Sequence, residues 1–181
     1  MLIAMDTDLR IDVLGPLQVR TAEPIDISRP SHRRLIAILA INGARSISTD
    51  ALIDRYWPGG PPATAKAAIQ THISAVRALI GTDSIEFDGT GYRLRPIGVD
   101  LDAEEFDDLW TQANDATDRG AWLETLECSQ RALRLWRGEP YEDIRDDWFA
   151  LPDVARLTEM RLVLAELECE AMLNLGRPAD A

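Results

Sequence analysis

Cysteine is scarce in this chain: its 181 residues include two, Cys128 and Cys169. Two thiols so far apart cannot build a zinc framework, and they read as reduced thiols of a cytoplasmic protein. Long apolar runs are also missing. The longest aliphatic stretch, Leu35 to Ile41, has seven residues, whereas a helix that spans a bilayer needs about 20. The opening residues Met1 to Asp6 carry no basic region and no long apolar core, so no secretion signal is expected. Histidine occurs only as His32 and His72, isolated from each other in sequence; His72, near the edge of an apolar stripe, reads as packed, and neither reads as a ligand or general base. No Ser/His/Asp set is present, and Gly59-Gly60 lacks the lysine and the strand of a phosphate loop. The six acids within residues 100–108 sit at a helix entry, where capping and solvation explain them better than acid/base work. These absences point away from an enzyme, a metal, a cofactor and a membrane.

What is present is a folded composition, 46% hydrophobic and 28% charged, with charge divided at a seam near residue 98. Residues 1–98 hold 11 Lys+Arg against 10 Asp+Glu, and residues 99–181 hold 8 Arg against 21 Asp+Glu. A near-neutral half joined to a strongly acidic half suggests two modules with different partners.

The first half opens with alternation. Leu9 to Leu14 and Leu17 to Arg20 read as strands broken by Gly15-Pro16, and Ile25-Asp26-Ile27 adds a third. Ser31 to Asn42 reads as a buried helix stopped by Gly43. Ser48 caps a second helix, Thr49 to about Trp57, and Pro58 to Pro62 breaks it. A third helix spans about Ala63 to Ile80, with Ile69, Ile73, Val76 and Ile80 as its apolar stripe. Residues 84–87 and 92–95 form a hairpin around Asp88-Gly89-Thr90-Gly91. Strands, three helices and a hairpin are the element order of a winged helix-turn-helix.

After the seam the pattern is all helix. Asp102 with Glu105 forms a capping-box start, and Gly120 ends that helix. Ala121 to Arg137 is a second helix. Glu139 to Asp147 reads as a polar loop. Pro152 to Leu175 is a long amphipathic helix, with Val154, Leu157, Leu164, Leu167, Ala171 and Leu175 inward and Gly176 and Pro178 beyond it. Helices of this size with glycine stops resemble helix-pair repeats.

The third helix carries the chemistry of a groove reader. A helix about 10–12 Å across fits the major groove of B-DNA. Gln70 can pair with an adenine edge, and Thr71 and Ser74 can reach base edges or a thymine methyl. Ala67 and Ala78 are small enough for close approach. Lys66 and Arg77 are placed for phosphates. Arg33 and Arg34, with Arg29 nearby, lie in the first turn of a helix, where the dipole disfavours cations. A bound phosphate would offset that cost, and so would a neighbouring carboxylate. Arg93 and Arg95, two apart on a strand, share one face. Trp148-Phe149, after an acidic loop, is a candidate anchor for a partner protein.

An ordered series of stretches resembles one family. Leu14-Gly15-Pro16-Leu17-Gln18-Val19 comes first, then Arg34 to Ala40. Ser48 to Asp54 with Tyr56-Trp57-Pro58 follows, then Ile69 to Ser74 and Gly91-Tyr92-Arg93-Leu94. In the second half the pattern continues with Val99-Asp100-Leu101, Glu105-Phe106 and Arg131 to Gly138. Together they are similar to the SARP type, the Streptomyces antibiotic regulatory proteins. That resemblance implies an OmpR-type winged helix over residues 1–98 and a helical, tetratricopeptide-like bacterial transcriptional activator domain over 99–181. It implies a transcriptional activator that binds direct-repeat promoter DNA as head-to-tail protomers and contacts RNA polymerase. It also implies that the hairpin lies on the minor groove, with Arg93 entering it. Two departures stand out. Ala75 occupies a place where the family commonly has a basic residue, and the activator domain of the family normally runs further than residue 181. Weak positive charge and Ala75 leave a rival reading open: a protein-interaction module whose winged helix no longer binds DNA.

Overall fold

A computed structural model describes residues 9–95 and 97–176. The N-terminal stretch read for a targeting signal, and Pro178, lie outside the described residues.

The chain is α+β in its first part and helical in its second. Strands β1 (Leu9–Asp12), β2 (Gln18–Arg20) and β3 (Pro24–Ile25) pair antiparallel in sequence order, with Ile11 opposite Val19 and Val19 opposite Ile25. Helix α1 (Pro30–Ile41) starts with proline at its first position, where a missing N–H costs nothing. Its residues Leu35 to Ala40 are all buried, as a helix apolar all round requires. Strand β4 (Ile47–Ser48) leads into α2 (Thr49–Tyr56), and the Ser48 hydroxyl accepts from the Ala51 N–H at 3.2 Å, the expected cap. Helix α3 (Ala65–Ile80) buries Ile69, Ile73, Val76 and Ile80 against α1 and α2.

The hairpin of β5 (Ile85–Phe87) and β6 (Gly91–Leu94) forms a second sheet, in which β6 also pairs with β4. Gly91 is required there, because an added Cβ would collide with the Ile47 carbonyl. Asp88 at the turn accepts from the Thr90 and Gly91 N–H groups, and these bonds hold its carboxyl well below the ordinary range.

The second half departs from the all-helical expectation. Val99–Leu101 is a strand, β7, which joins the first sheet parallel to β1, with Leu9 opposite Val99 and Ile11 opposite Leu101. Helices α4 (Asp102–Asp118), α5 (Trp122–Arg134) and α6 (Leu151–Asn174) follow, and α5 packs between α4 and α6. One hydrophobic core runs through both halves, from Ile11, Leu14 and Leu39 to Phe106, Tyr141, Ile144 and Leu164.

Two local expectations fail for the same reason. Asp102 does not cap its own helix, because α4 has no side-chain cap. It is 1% exposed and accepts from the Val13 N–H at 2.7 Å and the Leu14 N–H at 2.9 Å. Glu105 pairs with Arg10 at 2.7 Å instead of turning back to a capping box. The polar loop 139–147 is a series of turns that buries Tyr141 and Ile144 and sends the Tyr141 N–H to the Val13 carbonyl at 2.7 Å. In both places the end of β1 draws the groups away from their local partners.

Candidate nucleic-acid interface

Helix α3 presents its polar side outward. Lys66, Gln70, Thr71 and Ser74 are exposed, as are Ala67 and Ala78 between them. The Thr71 hydroxyl donates to the Ala67 carbonyl at 3.0 Å, and the Lys66 Nζ stands 3.6 Å from Asp50 in open solvent. These four residues lie together on one surface, away from the core stripe.

The arginines are arranged differently from the sequence expectation. Arg77 does not reach outward: its Nε and Nη2 both donate to the Ile85 carbonyl, at 3.0 and 2.7 Å, and so tie β5 to α3. Arg93 lies opposite Glu86 in the hairpin and pairs with it at 2.9 Å. Arg95 is half-buried beside Arg77, Asp83 and Glu86 along an open cleft.

Arg33 and Arg34 are not a phosphate site in this fold. Arg33 grips Asp143 with two bonds, 2.6 and 2.9 Å, and also donates to the Leu17 carbonyl. Arg34 stands 2.8 Å from Asp147, an ion pair without hydrogen-bond alignment, and donates to the Tyr56 and Arg55 carbonyls. Of the two compensations open to cations at a helix start, the carboxylate is the one found. Both acids come from the loop between α5 and α6. Arg137 adds to the same seam, donating to the Pro16 carbonyl at 2.8 Å and standing 3.5 Å from Asp102.

The aromatic pair divides. Trp148 is 67% exposed, as a partner anchor would be. Phe149 is buried, with the Arg55 guanidinium 5.1 Å above its ring, so it is a packing residue between the halves.

The two histidines, distant in sequence, meet. His32 on α1 and His72 on α3 have ring centroids 6.0 Å apart, and His72 lies 5.2 Å from the Tyr56 ring. Burial holds both imidazoles below the ordinary histidine range, and the charge of Arg29 pushes each further down. His72, read as packed, is half-buried, while His32 is buried; their pairing has no sequence signal. Among the described residues no helix is long and apolar enough to cross a membrane, and no three His, Cys, Asp or Glu side chains are grouped to hold a metal ion.

The chain thus joins an α+β unit with an outward polar helix to a helical unit. The bacterial transcriptional activator domain matches residues 101–181. Regulatory protein AfsR of Streptomyces griseus is 31% identical over 174 residues, covering 96% of this chain and 18% of that protein. Transcriptional regulatory protein EmbR of Mycobacterium tuberculosis is 31% identical over 176 residues, covering 93% of this chain and 45% of that protein. Regulatory protein DnrI of Streptomyces peucetius is 30% identical, and the alignment covers 94% of this chain and 67% of that protein. The solved structure of M. tuberculosis EmbR in complex with a low affinity phosphopeptide superposes with a TM-score of 0.84 at 30% identity, over 94% of this chain and 47% of that one. The chain belongs to the SARP-type family of regulators. It spans less than half the length of the AfsR and EmbR relatives it matches.

Proposed function

We propose that this chain is the DNA-reading and activating part of a transcription regulator acting in the cytoplasm. In this reading residues 1–98 are an OmpR-type winged helix-turn-helix, and residues 99–181 are part of a tetratricopeptide-like activator domain. The observation that carries it is the outward face of α3. Lys66, Gln70, Thr71 and Ser74 stand exposed among small alanines; the Thr71 hydroxyl bonds within its own helix, and Lys66 has only a solvent-exposed 3.6 Å contact with Asp50. Gln70 reads an adenine edge, Thr71 and Ser74 read neighbouring positions, and Lys66 fixes register on a phosphate. Arg95 contributes to the hairpin side. Two protomers head to tail on a direct repeat, with RNA polymerase contacted by the acidic half or by Trp148, complete the proposal.

Arg33, Arg34, Arg77 and Arg93 are all engaged within the fold. That favours a second reading, an interaction module without DNA binding. Selection of bound fragments from random-sequence DNA at roughly 0.15 M salt separates the two, because weak nonspecific contacts are screened there. Enrichment of a repeated motif is the expected result. Recovery of no motif by folded protein would sink the DNA-reading proposal and leave the interaction module.

A further inference from the structure

A helix about 10–12 Å wide in a groove about 12 Å wide touches phosphates along both of its flanks. One flank of α3 holds two fixed cations, Arg77, bound to the Ile85 carbonyl of the hairpin, and Lys66, beside Asp50 of α2. The other flank holds Ala68, His72, Ala75 and Leu79, without a fixed charge. Beside it stands the start of α1. That helix has no acidic residue in its first turn and no side-chain cap. Its N-cap residue is Arg29, which is exposed and, among the described residues, has no carboxylate within ion-pair distance. One turn on, His32 is 5% exposed. Its ring abuts His72, which in turn packs on Tyr56.

We infer that Arg29, His72 and the N-terminus of α1, backed by His32, form a clamp for a DNA backbone phosphate on the flank of α3 opposite the hairpin, and that the clamp takes up a proton when it closes. This rests on the DNA-reading proposal above and adds to it a second phosphate site and a pH response. Three elements surround the two imidazoles. From α1 come Arg29, His32 and Arg34, from α2 comes the Tyr56 phenol, and from α3 comes His72. Tyr56 donates to the Ser31 carbonyl at 3.0 Å, and Arg34 is matched by Asp147. The charges that act on the imidazoles are cationic: Arg29 on both, and His72 on His32. Both rings therefore take up a proton less readily than a free imidazole. A phosphate supplies the missing negative charge, and the dipole of α1 points its positive end at the same anion. His32 and His72 are the only histidines in the chain. Proton uptake near neutral pH thus has few other places to occur.

The test is binding of the chain to a short fluorescein-labelled mixed-sequence duplex, measured between about pH 6 and about pH 8 and across salt. The expected result is affinity that rises about threefold or more per pH unit on acidification near pH 6.5. Arg29→Ala should weaken binding and lower the salt slope by about 0.9. His72→Gln should flatten the pH response while the protein keeps its helical circular dichroism. Absence of binding by folded wild-type protein at every pH and at low salt overturns the DNA-reading proposal itself. Salt-dependent binding that is indifferent to Arg29→Ala, or a pH response that survives in His72→Gln and in the His32→Gln, His72→Gln pair, overturns the clamp alone. His32→Gln perturbs a buried position. If it fails to fold, Arg29→Ala, at an exposed residue, decides.

Discussion

Replacing Asp102 should do more damage than any other single substitution at the seam. Its carboxylate is buried, accepts the Val13 and Leu14 N–H groups, and faces Arg137 at 3.5 Å. Asp102→Ala leaves two backbone donors in the core without acceptors, each costing about 1–3 kcal/mol. It also leaves the Arg137 charge without its counter-ion. Against this stands the relief of no longer burying a carboxylate, a burial that pushes its pKa up. The net expectation is a loss of roughly 3–5 kcal/mol for Asp102→Ala. Asp102→Asn keeps one acceptor and turns an amide N–H toward the second donor, so about 1–3 kcal/mol is expected. With a urea m-value near 2 kcal/mol/M, the alanine variant should unfold at a midpoint lower by roughly 1.5–2.5 M. Hydrogen exchange adds a local readout: the Val13 and Leu14 amides should lose protection first. An alanine variant within about 0.5 kcal/mol of the wild type, with those amides still protected, would refute the account of Asp102 as the bond between the first sheet and α4.

Arg33→Ala breaks a two-bond ion pair with Asp143 and should cost about 1.5–3 kcal/mol in urea unfolding. It should leave the salt slope of DNA binding unchanged, and a slope lowered by about 0.9 would return Arg33 to the phosphate contacts. Gln70→Ala should relax preference at one operator position by about 1–3 kcal/mol, and an equal loss on every operator variant would remove Gln70 from base reading. The histidines set a pH dependence of stability. Their folded pKa lies below the unfolded one, so the unfolded chain binds more protons and stability falls as pH drops below about 6.5. Asp102 and Glu104, pushed up by burial, work in the opposite direction at lower pH. A urea midpoint no lower near pH 5.5 than near pH 7.5 would contradict this direction.

The legible parts of the fold were those whose partners lie close in sequence. The α3 stripe of Ile69, Ile73, Val76 and Ile80, the Ser48 cap and the Gly43 stop are all local patterns, and all appear as read. Gln70, Thr71 and Ser74 were found as a face because helical spacing alone places them together. The misread residues are those whose partners lie far away. Asp102 and Glu105 have the spacing of a capping box, but their bonds run to residues 88 to 95 positions earlier. Arg33 and Asp143 are 110 positions apart. A loop rich in acids reads as solvated until the arginines that meet those acids are known. Tyr141 and Ile144 were the available signal, two large side chains inside a segment otherwise too polar to bury.

These pairings change what the charge of the first half means for DNA. Arg10, Arg33 and Arg34 are matched by Glu105, Asp143 and Asp147 of the second half, Arg93 by Glu86, and Arg20 more loosely by Asp12. Part of the acidic half's charge is therefore consumed in holding the two halves together. The cations left around α3 are Arg29, Lys66, Arg95 and Arg77, the last bound to a carbonyl that does not neutralise it. About three to four phosphate contacts per protomer give a slope of log K against log salt near −3. That is shallow, so one protomer alone should bind weakly at physiological salt, and useful affinity should require two protomers on adjacent repeats. On a duplex with a single repeat the slope should stay near −3, and on a tandem repeat it should roughly double with a cooperative gain. A slope of about −6 already on the single repeat would mean that the internal pairings open on DNA, and that arginines counted here as structural reach the phosphates.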